Sequence, residues 1–130
     1  MSISYRAAQT LIKRGDEAAL RTAIESGLDP SLANHNGWSL LMLAALEGAV
    51  PIGHLLLDAG ATLEAANRHG ETALSLAAQK GHVDFLELLI AKGASTDLTP
   101  HGTPLSVWLT NSPGLSEAKL TEVLNLLSGS

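Results

Sequence analysis

Two stretches of this chain write the same unit twice, 33 residues apart. Asn34, Gly37, Leu41, Leu43, Ala44, Ala45, Gly48, Val50, Leu55, Leu56, Gly60 and Ala61 recur as Asn67, Gly70, Leu74, Leu76, Ala77, Ala78, Gly81, Val83, Leu88, Leu89, Gly93 and Ala94. A unit this short cannot bury its own apolar face and does so against its neighbour, which is the logic of a stacked solenoid. The functional question therefore moves from a catalytic pocket to a binding surface.

The repeat also sets the raw material of the core. Hydrophobic residues are 45% of the chain but aromatics only 3%, so the apolar content is mostly Leu and Ala, which suits close-packed helices better than a sheet. The 130 residues make one domain, long enough for a substantial core. No apolar run approaches the roughly 18 residues of a membrane span, and Met1 to Lys13 lacks the basic start and apolar block of a secretory leader. With no cysteine, disulfides and thiolate metal sites are excluded. A cytoplasmic chain without cofactors, monomeric when free, is expected.

The formal charge is −5, and the eight Lys and Arg are scattered, with Lys13–Arg14 the one adjacent basic pair. A nucleic-acid binder offers a basic stripe to the phosphates. Neither nucleic acid nor membrane is an expected partner.

Along the chain, each unit reads as a helix pair. Ser39 caps a first helix with Leu40, Leu41, Leu43, Ala44 and Ala45 as its buried stripe, stopped at Gly48. A second helix starts near Val50, tolerates Pro51 in its first turn, and stops at Gly60. The next unit repeats this with Thr72 as cap, Gly81 as stop, and a second helix from Val83 to Lys92. Shifting back by one period places Gly15 and Gly27 on the same grid, with Asp16 as a cap. The segment Ser4 to Arg14 carries Ala7, Ala8, Leu11 and Ile12 on one side and Arg6, Gln9 and Lys13 on the other, as a terminal unit facing water should. At the far end, Thr103-Pro104-Leu105 reads as cap, first-turn proline and first buried residue. A last helix from Ser116 to Leu127 follows, and Gly129-Ser130 reads as a frayed end. The units fall at 4–33, 34–66, 67–98 and 99–127.

The pattern resembles the ankyrin repeat, whose signature runs glycine, any residue, Thr-Pro-Leu-His, any residue, Ala-Ala, two variable residues, Gly-His, then an apolar helix ending in Gly-Ala. Gly70, Thr72, Leu74, Ala77, Ala78, Gly81, His82, Leu88, Leu89, Gly93 and Ala94 match it, as do Gly37, Leu41, Ala44, Ala45, Gly48, Leu55, Leu56, Gly60 and Ala61 one unit earlier. The resemblance implies an all-α, ankyrin-like helical-hairpin solenoid of about four repeats with capping ends and hairpin-like loops between units. It also implies protein–protein recognition through a concave face, by an inhibitor, immunity-type protein, adaptor or regulatory subunit. Three departures stand out. The signature histidine, which ties neighbouring loops in the family, is replaced by Met42, Ser75 and Ser106, so a looser loop network is expected. Trp108 takes the place of a small alanine between helices, so the last pair should splay or repack. Gly53 lies inside a helix, at a cost of about 1 kcal/mol relative to Ala.

Carried over residue by residue, the resemblance turns outward the residues flanking the signature glycine and the two before the helix-ending glycine. These give His35, Asn36, Trp38, Leu46 and Glu47 in one unit and Arg68, His69, Glu71, Gln79 and Lys80 in the next. His101 and Asn111 come from the last unit, with Tyr5, Lys13, Arg14, Pro100 and Thr110 as further contributors from the ends. Trp38 is the sharpest of them. Its counterpart one unit on is Glu71, so the position need not be buried, and a solvent-facing indole beside Leu46 is the type of anchor that dominates interfaces. The competing reading packs Trp38 locally, over the neighbouring loop of the first unit, with Tyr5 as a candidate partner.

A second function class rests on His35, His69 and His101, one in each of three successive linkers: a metal-dependent or catalytic protein. Packed elements repeat at roughly 8–10 Å, whereas zinc needs its imidazoles at about 2 Å. Three histidines spread along such a ladder do not reach one ion. His82 reads as a turn residue and His54 as solvent-facing. No nucleophile or phosphate-binding motif occurs, so an enzyme is not expected.

Overall fold

The computed structural model describes residues 3–128; the frayed end expected at Gly129-Ser130 lies outside them. Eight α-helices run along the described residues: α1 (Tyr5–Arg14), α2 (Glu17–Glu25), α3 (Leu40–Glu47), α4 (Val50–Asp58), α5 (Ala73–Lys80), α6 (Val83–Ala91), α7 (Leu105–Thr110) and α8 (Glu117–Ser128). They form four pairs. The first helices α1, α3, α5 and α7 contact one another in sequence, and the second helices α2, α4, α6 and α8 do the same, so the pairs stack as two layers.

Local chemistry starts and stops these helices where the sequence says it should. Ser4, Asp16 and Ser39 accept hydrogen bonds from the backbone N–H three residues on, at 3.1, 3.1 and 3.2 Å, each satisfying a donor that the first turn leaves open. Thr72 goes further. Its hydroxyl accepts from Ser75 N–H while Ser75 Oγ accepts from Thr72 N–H, a reciprocal cap. At the other end of α3 and α5, Gly48 and Gly81 take left-handed conformations with φ of 67° and 71°, a region that L-side chains avoid. The last pair departs from expectation: Pro104, not Thr103, stands at the cap position of α7, and no side chain caps that helix.

Stacking supplies the core. Ala44, Ala45, Ala77 and Ala78 are fully buried where α3 meets α5. Leu40, Leu41, Met42, Ile52, Leu56, Leu74, Leu86 and Leu89 fill the space between layers. His82, at the turn between α5 and α6, lies across Gly48, where a Cβ would come within 2.7 Å of the imidazole. Its Nε2–H donates to the Leu46 carbonyl at 3.0 Å. The turn reading of His82 is right, and the residue also tethers one repeat to the previous one. His54 is exposed on α4.

Gly53 is not a mere defect in its helix. A Cβ there would stand 2.7 Å from Cε2 of Phe85 and 3.1 Å from Cδ2 of Leu88, and Phe85 is fully buried with nowhere to retreat. The glycine lets α4 and α6 approach. Gly53→Ala should therefore lower the thermal midpoint, because overpacking of about 1–3 kcal/mol outweighs the roughly 1 kcal/mol of helix propensity regained. Phe85→Leu in the same chain should recover part of that loss, and a stabilised Gly53→Ala would show the packing to be loose. Ala77→Glu, which strands a carboxylate and overpacks the α3–α5 contact, should cost several kcal/mol in the same melt.

Candidate functional site

The outward edge of the stack is built by two asparagines that the repeat preserves. Asn34 Oδ1 accepts from the N–H groups of Asn36 and Trp38, both at 3.0 Å. One unit on, Asn67 Oδ1 accepts from His69 and Glu71 at 2.9 and 3.1 Å. Each loop is closed by one short extended pairing, Ala33 with Ser39 and Ala66 with Thr72, and by backbone bonds from Asn34 N–H to Trp38 O and from Asn67 N–H to Glu71 O. These are the hairpin-like loops expected from the repeat. Asn34 and Asn67 were visible as recurring letters, and their role as loop-builders emerges only from the side-chain geometry.

Neighbouring loops are laced tip to tip. Arg68 N–H donates to Asn36 O and His101 N–H to His69 O. In these bonds Asn36 and His69 hold the accepting place and Arg68 and His101 the donating one, so the three linker histidines are not equivalent. His35, which the period of 33 aligns with Arg68, shares the donor's place with His101, and His69 lies at the next. That offset puts His69 and His101 side by side, with ring centroids 4.8 Å apart and planes within 13°. The loop step at this pair is closer than the helix-spacing estimate. The fourth linker is one residue shorter, with Gly102 following Gly70 by 32 positions, and His101 takes a left-handed φ of 56° that costs a non-glycine residue energy. Its anchors are the His69 ring, the Trp108 indole at 5.9 Å, and a 3.0 Å bond from Nε2–H to Glu71 Oε2.

One expectation fails here. Glu71 is not a surface residue: it is 7% exposed, and its other oxygen accepts from Asn67 Nδ2 at 2.8 Å. The carboxylate closes a network between two loops. The last pair does repack around Trp108: the half-buried indole turns toward His101, Leu109 takes the fully buried place, and α7 touches α5 and α8 far less than α3 and α5 touch each other. The loss of the signature histidine is also compensated. Ser75 stays within its own turn, and the loops are tied instead through Arg68 Nη1 to Asn36 Oδ1 at 2.8 Å and through His101 to Glu71.

The remaining candidate residues are distributed as follows. His35, Glu47, Arg68, His69, Lys80, His101 and Asn111 are exposed; Asn36, Trp38, Leu46 and Gln79 are half-buried. Trp38 is thus neither free in solvent nor enclosed. No ring pairing joins it to Tyr5 among the described residues. Tyr5 instead holds a buried hydroxyl without a partner, and burial pushes its pKa up. The Trp38 indole borders a depression of about 470 Å³ whose other walls are Asn36, Arg68 and His69. Of the end residues, Lys13, Arg14 and Thr110 are exposed and Pro100 is buried.

The histidines do not gather into a ligand set. Two stacked imidazole planes cannot turn their in-plane lone pairs onto one ion at about 2 Å. No group of three or more His, Cys, Asp or Glu suited to a metal occurs among the described residues.

Glu71→Ala should therefore act on stability, leaving the buried Asn67 amide unpaired at a cost of about 1–3 kcal/mol in denaturant unfolding. His35→Ala should leave the midpoint in place; an equally silent Glu71→Ala would return Glu71 to the surface. No curated protein shows a significant match to the chain. Residues 5–100, which span the first three helix pairs, match the family profile described as ankyrin repeats in three copies. Two-layer stacking, glycine-stopped first helices and laced loops agree with that match, and the chain belongs to the ankyrin repeat family.

Proposed function

We propose that this chain binds a partner protein through the face made by its first helices and loop tips, the concave face of ankyrin stacks, and so inhibits, steadies or links that partner without chemistry of its own. Ankyrin repeats serve in general as protein–protein interaction modules, which supports the class of function. The observation that supports the choice of face is the half-buried Trp38 indole at a depression walled by Asn36, Arg68 and His69. Against it stands a larger apolar groove of about 630 Å³ on α6 and α8 that holds no aromatic anchor. An indole with one side packed and the other at the mouth of a concavity can close over a partner group with little loss of freedom. Large aromatic area held this way is what interface anchors share.

The proposed contact set is His35, Asn36, Trp38, Leu46, Glu47, Arg68, His69, Gln79, Lys80, His101 and Asn111. Glu71 leaves the contact set for a structural role. Arg68, held by Asn36, and His69, stacked on His101, give the depression walls that are ordered before any partner arrives.

The test is affinity capture from cell extract followed by calorimetry with the captured partner. Trp38→Ala should weaken binding by on the order of 2 kcal/mol or more without unfolding the chain. Lys80→Ala, at the rim, should chiefly alter the association rate and its salt dependence. Binding indifferent to both, yet sensitive to His54 or Glu87 on the second helices, would place the interface on the opposite face.

A further inference from the structure

The chain's net charge of −5 conceals a separation of charge between its two layers. Of the eight basic residues, Arg21, Lys92 and Lys119 belong to the second-helix layer, and each is held in an ion pair: with Glu17 at 2.7 Å, Asp58 at 3.8 Å and Glu122 at 3.3 Å. The other five, Arg6, Lys13, Arg14, Arg68 and Lys80, lie on first helices or a loop tip, and all are exposed. None of these five is in an ion pair among the described residues. The thirteen acids distribute the opposite way. Only Glu47 and Glu71 fall on first helices or loop tips, and Glu71 is buried and bonded to His101. The rest lie on second helices, at their starts, or in the outer stretches of the linkers.

We infer that the partner segment seated on the first-helix face is acidic, a proposal that rests on the binding reading above and names its chemistry. The internal repeat sets the basic groups in rows: Lys13, Leu46 and Gln79 in one, Arg14, Glu47 and Lys80 in the next. Arg6 lies seven residues before Lys13 and so shares its face of α1. Arg68 adds a guanidinium at the Trp38 depression, and its bond to Asn36 is to a neutral amide, which orients the charge without cancelling it. Helix dipoles account for part of the bias. Lys13, Arg14 and Lys80 stand in the last turns of α1 and α5, where a cation is favoured, as Lys92 does at the end of α6. Arg6 in the first turn of α1 and Arg68 at a loop tip gain nothing from a dipole. A positive face on a negative body attracts carboxylates to one side and repels them from the other, which orients an acidic segment as it approaches. A polypeptide fits better than nucleic acid, because Glu47 interrupts the row between Arg14 and Lys80 and no continuous phosphate track is formed.

The test uses the intact chain, immobilised, to select from a random peptide library, with one enriched peptide then titrated into isotope-labelled protein. Enriched peptides should carry net negative charge and shift the amides around Lys13, Arg14, Arg68 and Lys80. Affinity should fall about tenfold or more with Lys13→Glu/Lys80→Glu, and again between about 50 and 300 mM salt. Lys13→Gln/Lys80→Gln, which removes charge without opposing the helix dipole, should weaken binding in the same direction and guards against a folding defect. Neutral or basic peptides that shift the same amides would overturn the acidic partner and leave the face standing. Shifts confined to α6 and α8 would overturn both readings. A single-stranded oligonucleotide that binds these rows more tightly than any enriched peptide would replace the acidic segment with nucleic acid.

Discussion

Where α3 meets α5, both helices carry a pair of fully buried alanines in the same place, and small side chains let packed helices approach closely. Ala44, Ala45, Ala77 and Ala78 have no exposed surface, and their helices come from units that cannot cover themselves. Burial in such a stack is a property of neighbours, so the stability of each pair is bound to the one beside it. Gly53 solves the same problem one layer out, where Phe85 fills the room a side chain would need. The two layers thus differ in means, paired alanines among the leucines of the first helices and one large ring against a glycine in the second.

That constraint reaches the loop edge. Once the helices are held at a fixed step, the linkers must rise in register, and Asn34 and Asn67 fold each one into the same shape. Register then permits the backbone bonds from Arg68 to Asn36 and from His101 to His69. These bonds, with Glu71 closing between Asn67 and His101, make the tips one laced surface. A surface so fixed loses little entropy when a partner orders against it, and preorganisation of this kind favours affinity.

The architecture was legible because a period of 33 survives in the letters themselves. Ser39, Thr72, Gly48 and Gly81 carry local signals that act within one turn of the chain, and those readings hold. What could not be read depended on residues far apart. Glu71 has the composition of a surface residue, and its counterpart Trp38 suggested an open position. Its burial follows from His101, 30 residues on, and from a linker shortened by one. Trp108 was legible in part: its bulk in alanine's place announced that the last pair would repack, but its partner, the His101 ring, belongs to the preceding linker. Gly53 read as a helix flaw because Phe85 sits in another repeat.

Misplacing Glu71 also obscured the electrostatics. With Glu47 and Glu71 both on the surface, beside Arg68 and Lys80, the recognition face looks balanced, a polar rim of mixed sign. Moving one carboxylate inside leaves Glu47 alone among five exposed cations. The second-helix layer shows why that excess is informative. Its three basic residues all stand beside carboxylates, and exposed pairs of this kind add little stability but do cancel local field. Cations left without such partners keep their reach in a protein whose body repels the same ligands they attract. The core that holds the fold is apolar and mostly Leu and Ala, and of the five only Arg68 has a side-chain bond to another repeat among the described residues. Their common side therefore fits the proposed acidic partner better than a demand of folding.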